Sequence, residues 1–198
     1  MSERALGLPF GTPLAMHPGY EAGITYDPTA PIGPRATTTV PSVDTLLGYI
    51  WYNPKAVGIS ALNARCTTAA AGSAMKTATW RFQGRRAIGK PVVAVDAGAS
   101  TAATGNVPMA ISGVLPKGWL FTASKFNGTP GMSCVDMRQW MAWLLGGTVT
   151  QAAAATQMQT LTVADAYANV LADLDLTGVA LSPFGTSAAA PAITFTAA

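Results

Sequence analysis

The chain has 198 residues, enough for one domain with a sizeable core or for one domain preceded by an arm. Apolar residues make up 49% of it and charged residues only 11%, so much of its surface must be neutral or must lie against another chain. The net charge of +3 is too small and too dispersed for a nucleic-acid surface, and no apolar run reaches the roughly 18 residues of a membrane span.

Residues 1–41 form a proline-rich segment that differs from the rest of the chain. Its seven prolines remove backbone donors and disfavour helix at the residues before them, which predicts an extended arm. Phe10, Tyr20 and Tyr26 make the segment too apolar for a solvated linker, although it cannot close a core of its own. We expect an N-terminal arm that lies on a partner, with a disordered tail as the alternative. The first residues, Met1–Leu6, lack the apolar run of a secretory signal, which predicts synthesis and assembly in the cytoplasm.

Residues 42–198 are predicted to form one domain of short apolar runs separated by turn signals. The central run is Trp119–Phe126, which follows a turn at Pro116–Gly118 and is apolar enough for a strand buried on both faces. Residues alternate in Met75–Phe82, so Trp80 and Phe82 are expected to face inward. Further strands are predicted over Val43–Tyr52, Ala56–Ala64, Pro91–Ala97, Val107–Val114 and Ala192–Thr196, with Gln83–Lys90 as a polar connection.

The spacing of these runs, about 10–15 residues, predicts an all-β antiparallel sandwich. About eight strands suit a jelly roll, in which two antiparallel sheets pack face to face. The segment Gln151–Leu176 fits this pattern least, and it can be helix or loop. Its apolar stripe predicts a short helix near residues 162–174, with Thr162 or Asp165 as the cap. The stripe consists of Ala164, Tyr167, Leu171 and Leu174.

No set of residues predicts catalysis or metal binding. His17 is the only histidine and has no acidic partner nearby in the sequence, and P-loop and Gly-x-Gly patterns are absent. Asp165, Asp173 and Asp175 lack the further oxygen ligands and the glycine of a calcium loop, so a solvated face is favoured. We therefore predict no catalytic, cofactor-binding or metal-binding residues, and no enzyme activity.

Three further features have more than one interpretation. Cys66 and Cys134 lie in strand-like runs, and buried reduced thiols are favoured over a disulfide. The segment Trp80–Arg86 interleaves aromatic and guanidinium groups, for which a hairpin rim is favoured over an anion site. Trp140 and Trp143 fit a core or a subunit interface better than a platform for sugar stacking.

Several motifs, taken in order, resemble a known family. The strand Gly58–Ala64 and a small-residue loop precede Pro-Val-Val-Ala-Val-Asp-Ala-Gly at 91–98 and a Thr-Gly loop at 101–105. Leu-Pro-Lys-Gly-Trp-Leu-Phe-Thr-Ala follows at 115–123, then Asn-Gly-Thr-Pro at 127–130 and Ala-Pro-Ala-Ile at 190–193. Over residues 40–198 this order resembles the jelly-roll domains of tailed-bacteriophage virion proteins, found in tail fibres, head fibres and collar or neck spikes.

The resemblance implies a non-enzymatic structural component of a virion, assembled in the host bacterial cytoplasm. Such domains are commonly homotrimers mounted through an N-terminal segment, which predicts that residues 1–41 dock on capsid, neck or tail proteins. The shortage of charge independently favours a homo-oligomer, with a trimer as the expected form. Decoration and adhesion to a host-surface glycan both remain open. The alternative function is a carbohydrate-binding, lectin-like module.

Overall fold

The protein is nearly all β, with two antiparallel sheets packed as a sandwich. The computed structural model describes residues 19–28, 35–84, 86–135, 161–179 and 190–198. Sheet A contains β1 (Thr25–Tyr26), β2 (Arg35–Thr39), β4 (Val57–Thr68), β7 (Gly105–Leu115), β9 (Gly131–Val135) and β11 (Thr194–Ala197). Sheet B contains β3 (Thr45–Asn53), β5 (Ala74–Gln83), β6 (Arg86–Ser100), β8 (Gly118–Phe126) and β10 (Leu161–Ala164), in the order β10-β3-β8-β5-β6.

Six consecutive strands pair in a nested pattern. β5 and β6 form a hairpin, β4 pairs with β7 around it, and β3 pairs with β8 outside both. Within a single sheet, these three nested pairs would form one long hairpin. Here β4 and β7 lie in sheet A, while the other four strands lie in sheet B. The chain therefore crosses between the sheets on each side of the β5–β6 hairpin.

β8 is the central strand of sheet B, as the sequence predicts. It lies between β3 and β5, and from Leu120 to Phe126 every residue is buried. Both faces are covered because sheet B packs against sheet A on one side and against the segment after β10 on the other. Trp119, at the start of the strand, is only partly buried and meets Tyr52 edge to face, with the ring centroids 5.2 Å apart.

The face of sheet B that meets sheet A combines aromatic rings with a row of hydroxyls. Trp51 stacks on Phe195 of β11 with the ring centroids 5.9 Å apart, and its indole Nε1 donates to Thr122 at 2.9 Å. Thr122 in turn shares a hydrogen bond of 2.9 Å with Thr79 on β5. Each buried hydroxyl in this row has a partner, so the polar atoms do not carry the cost of burial without a hydrogen bond.

The other face of sheet B is covered by residues 161–179, and the helix predicted near residues 162–174 is wrong. Residues 161–164 form β10, which pairs with β3, and residues 165–179 then form a loop with hydrogen-bonded turns at 166–169 and 176–179 and a 3₁₀ turn at Leu171–Asp173. Leu171 and Leu176 are buried, and the main-chain oxygen of Leu174 accepts a hydrogen bond from Trp80 Nε1 at 3.2 Å. Residues 165–179, here called the strap, therefore bury their apolar side chains against sheet B without forming an α-helix.

The predicted pattern of β5 needs a correction as well. Trp80 is fully buried, but it faces the segment 161–179, and Thr77 and Thr79 occupy the face toward sheet A. The sequence suggests one buried face because threonine is usually an exposed residue, whereas here both faces of the strand are covered. The predicted connection Gln83–Lys90 is also mostly strand, since β5 ends at Gln83, β6 begins at Arg86, and Gly84 between them has a φ of 59°.

Two stretches of the predicted N-terminal arm belong to sheet A. β1 pairs with β11, and β2 pairs with β9. Tyr20 and Tyr26 pack on each other and on Phe195, with ring centroids 4.9–5.8 Å apart. The expectation that this segment buries no apolar side chains in its own domain is wrong for residues 19–28, because the edge of sheet A offers both backbone partners and an aromatic surface. Residues 1–18 and 29–34 lie outside the described residues, and for them the division at residue 41 stays a prediction.

Candidate functional site

Two places in the described chain combine polar side chains with unusual burial or shape. The first is a pocket of about 370 Å³ on the outer face of sheet A. Leu62 and Ala64 of β4 point into the core, so the intervening Asn63 and the next residue, Arg65, face outward. Arg65 lies opposite Asn106 of β7, and Asn63 lies opposite Thr194 of β11. All four residues line the pocket.

The chemistry of this pocket is that of hydrogen bonding with one positive charge. Asn63 is only 9% exposed, and its side-chain nitrogen donates to Thr196 Oγ1 at 3.2 Å. Arg65 is exposed and supplies a planar set of N–H donors that suits a carboxylate. The pocket can therefore hold a small ligand with hydroxyl groups and an acidic group, whereas it offers no residue that acts as a general base.

The second place is a buried cluster of charges on the outer face of sheet B, here called the lysine cluster. Its members are Lys76, Lys125, Asp165, Tyr167 and Asn169. Lys76 on β5 and Lys125 on β8 are direct cross-strand neighbours. The side chains of Lys125 and Asp165 are 0% and 4% exposed, and Lys125 Nζ lies 2.6 Å from Asp165 Oδ2.

Further hydrogen bonds in the lysine cluster hold the segment after β10 onto the sheet. Lys125 Nζ also donates to the main-chain oxygens of Ala166 and Asn169, each at 2.9 Å. Lys76 Nζ donates to the same oxygen of Asn169 at 3.1 Å and lies 4.9 Å from the centre of the Tyr167 ring. Burial raises the pKa of the Tyr167 phenol, so this ring stays neutral under the lysine at ordinary pH.

Of the three carboxylates predicted on a solvated face, Asp173 and Asp175 are exposed as predicted, whereas Asp165 is not. Asp173 is exposed and 3.3 Å from Lys90, and Asp175 is exposed in a turn, where hydrogen bonds from Thr177 lower its pKa. Asp165 is instead buried beside Lys125. Within the described ranges there is no group of three or more His, Cys, Asp or Glu residues placed to hold a metal ion.

The remaining candidates have mixed outcomes. Cys66 and Cys134 are buried free thiols, as favoured from the sequence, and burial raises the pKa of Cys66. Arg81 and Arg86 are exposed on the β5–β6 hairpin, which is the predicted rim. His17, Trp140 and Trp143 lie outside the described residues.

Sequence reasoning missed both the pocket and the lysine cluster. A lysine between Ser124 and Phe126 in the predicted central strand is a usable signal, because a charge inside a strand buried on both faces needs a partner. The pocket has no comparable signal, since its residues come from three strands that are far apart in the chain.

Comparison with known proteins adds no assignment. No family model, curated protein or solved structure matches this chain. Among the described residues, none belongs to a helix with the length and apolar character needed to span a membrane.

Proposed function

We propose that this chain is a non-enzymatic structural component of a bacteriophage virion, a fibre, spike or decoration protein with a jelly-roll domain. The observation that carries the proposal is the nested pairing of β5 with β6, β4 with β7 and β3 with β8. A folded hairpin that wraps across two sheets is the construction of a jelly roll, an architecture common in viral capsid proteins and lectins. A jelly roll alone does not specify a function, so the assignment to a virion depends on the motifs at residues 91–98 and 115–123, which resemble those of phage virion proteins.

The outer face of sheet A supports the assembly of several copies. Part of this face on β4, β7 and β11, here called the neutral face, carries exposed or half-exposed side chains that are small and uncharged, with Arg65 of the pocket as a charged neighbour on β4. They are Ser60, Ala110, Ser112, Thr194 and Thr196. A surface patch without charged side chains brings copies together with little desolvation of ions, so a homo-oligomer, with a trimer as the expected form, is part of the proposal.

The N-terminal residues provide the attachment to the particle in this proposal. β1 lies at the edge of sheet A, and the described part of the chain begins just before it, at Gly19 and Tyr20. Prolines at positions 9, 13 and 18 fix φ in advance, which lowers the entropy lost when such a segment is ordered on a capsid, neck or tail protein.

The test is whether the chain is part of the particle. A tagged copy is produced in the host during infection by the phage that encodes it, and particles are purified by density gradient. We expect the tag in the particle band, with gold-labelled antibody marking a fixed position on each particle. A chain that stays entirely in the soluble fraction, with particles complete without it, would overturn the proposal.

The pocket on sheet A favours a second function, the binding of an acidic sugar. Asn63, Asn106 and Thr194 provide hydrogen bonds for hydroxyl groups, and Arg65 provides the charge for a carboxylate. Binding to an array of acidic and neutral glycans tests this function. Arg65→Ala should abolish binding to the acidic sugars, while Arg86→Ala, which removes an exposed arginine on the other sheet, should not. Equal binding by the wild type and Arg65→Ala would exclude the pocket.

A further inference from the structure

The lysine cluster places an amine, a carboxylate and a carboxamide in one hydrogen-bonded chain. Lys125 Nζ lies 2.6 Å from Asp165 Oδ2, and Asn169 Nδ2 lies 2.7 Å from Asp165 Oδ1. The same Nζ is 2.9 Å from the main-chain oxygen of Asn169, so amine and carboxamide sit on either side of a single carboxylate. Such an arrangement contains a nucleophile, a proton carrier and an electrophile with a leaving group.

We infer that Lys125 and Asn169 form an intramolecular isopeptide bond, with Asp165 as the proton carrier. Asp165 accepts a proton from the Lys125 ammonium, and the neutral Nζ attacks Cγ of Asn169. The Nζ–Cγ bond forms and the Cγ–Nδ2 bond breaks. Of the three protons on Nζ, one remains in the new amide and two pass through Asp165 to Nδ2, which leaves as ammonium. Nothing is oxidised or reduced, and Asp165 returns to the carboxylate.

Burial makes the first step possible. Lys125 and Asp165 are almost fully removed from solvent, at 0% and 4% side-chain exposure. Proton transfer along a 2.6 Å hydrogen bond then produces the nucleophile without any external base.

The neighbouring Lys76 serves as an internal comparison. It donates to the same main-chain oxygen of Asn169, at 3.1 Å, but its other contact is the Tyr167 ring, which favours the charged ammonium. Among the described residues no carboxylate is within ion-pair distance of Lys76, so it lacks the proton acceptor that Lys125 has. Lys125 is therefore the amine that reacts.

The surroundings of Asn169 suit the departure of ammonium. Asn169 is exposed overall, whereas its hydrogen bond to Asp165 is half-buried, so the leaving group has a direct path to water. The product would join β8, at the centre of sheet B, to the strap that covers it. A covalent bond at this place would keep the strap on the sheet even where the hydrogen bonds of the lysine cluster are broken.

The experiment is intact mass spectrometry of the full chain in denaturant, followed by tryptic mapping. We expect the wild-type mass to be lower than that of its sequence by one molecule of ammonia. Trypsin should fail to cut after Lys125, and one branched peptide should contain both Lys125 and Asn169. Lys125→Arg, Asp165→Asn and Asn169→Ala should each have the full mass of their sequence, while the matched control Lys76→Arg should still lose ammonia.

Three results would overturn the inference. The first is a wild-type mass equal to that of the sequence. The second is the loss of water with a bond between Lys125 and Asp165. The third is a loss of ammonia that persists in Lys125→Arg, because a succinimide at Asn169 releases the same molecule and leaves Lys125 open to trypsin. The branched peptide of the wild type identifies the bonded pair directly, so the inference is tested even where a variant folds poorly.

Discussion

Gly48 shows how closely β3 and β8 pack on the outer face of sheet B. A Cβ at this position would lie 2.4 Å from Cε2 of Phe121 and 2.6 Å from Cβ of Ala123, although the backbone φ is one that any residue adopts. Phe121 is fully buried and cannot move aside without disturbing Trp80, whose ring centroid is 5.7 Å away. The space over Gly48 is therefore part of the binding site for the Phe121 ring.

We predict that Gly48→Ala lowers the free energy of unfolding by about 1–3 kcal/mol, the usual cost of forcing a methyl group into a packed core. Gly58→Ala is the matched control, since the nearest atom to its added Cβ is Ala198 Cβ at 3.6 Å. Urea unfolding of both variants measures the difference. Equal stability of the two would mean that Phe121 has another place to pack.

Tyr20 provides a second test at the scale of one residue. Its hydroxyl donates to Asn53 Oδ1 at 2.6 Å, and burial, with a smaller effect of Tyr26, raises its pKa from 10.0 to about 12. The folded state therefore favours the protonated phenol. The contribution to stability is complete below pH 10 and is lost as the pH rises toward 12.

We predict that the free energy of unfolding falls between pH 10 and pH 12, and that it falls less in Tyr20→Phe. Urea unfolding at the two ends of this range measures the change. The pKa of Tyr167 is also raised, so part of the slope should remain in the variant. The same slope in both proteins would show that Tyr20 is not buried against Asn53.

At the scale of elements, a carboxylate of β6 holds the 3₁₀ turn of the strap, residues 165–179, in place on sheet B. Asp96 accepts the main-chain N–H of Leu171 at 2.6 Å through Oδ1 and that of Ala172 at 2.9 Å through Oδ2. These two N–H groups begin the 3₁₀ turn and have no partner within it, and the residue before the turn, Val170, provides no side-chain cap. Asp96 thus fixes the turn that carries the buried Leu171.

We predict that Asp96→Ala destabilises the protein by about 2 kcal/mol, because two hydrogen bonds to a charged acceptor are lost. Amide hydrogen exchange should quicken at Leu171 and Ala172 before the rest of the domain. Asp173→Ala is the control: its side chain is 76% exposed and its ion pair with Lys90 is expected to contribute little. Equal effects of the two substitutions would contradict the role of Asp96.

The same elements show how far the sequence predicts the structure. β8 is predictable because it opens with three large apolar residues, Trp119, Leu120 and Phe121, and is bounded by turn signals at Pro116–Gly118 and Asn127–Gly128. The strap is not, because Ala164, Tyr167, Leu171 and Leu174 match a helical stripe by spacing alone. Pairing of β10 with β3 and the hydrogen bonds to Asp96 decide its conformation, and both partners are distant in sequence. For the lysine cluster, the sequence predicts that Lys125, inside a buried strand, needs a charged partner. It does not predict that the partner is Asp165.

For the whole molecule, the neutral face is the surface on which the proposed oligomer depends. Ala110 is exposed on β7 and faces outward, since its neighbour Met109 is buried in the core. We predict that the full chain is a homo-oligomer by light scattering and that Ala110→Arg shifts it to the monomer, because repeated guanidinium groups would be buried without partners. Ala102→Arg, in an exposed loop, is the control. An Ala110→Arg oligomer as stable as the wild type would exclude this face as the interface.

Two truncations separate attachment to the particle from stability of the domain. Deletion of residues 1–18 leaves the Tyr20, Tyr26 and Phe195 rings and β1 in place, so the melting temperature should not change. Deletion of residues 1–28 removes two of these three rings and β1, one of the two strands that pair with β11, and exposes one side of Phe195. We expect it to lower the stability by about 3–5 kcal/mol, the scale of losing a buried aromatic side chain. Thermal unfolding measures both, and incorporation into purified particles is measured in parallel.

The shorter deletion should abolish incorporation while the fold persists. Incorporation of that variant at the wild-type level would show that residues 1–18 are not the attachment segment.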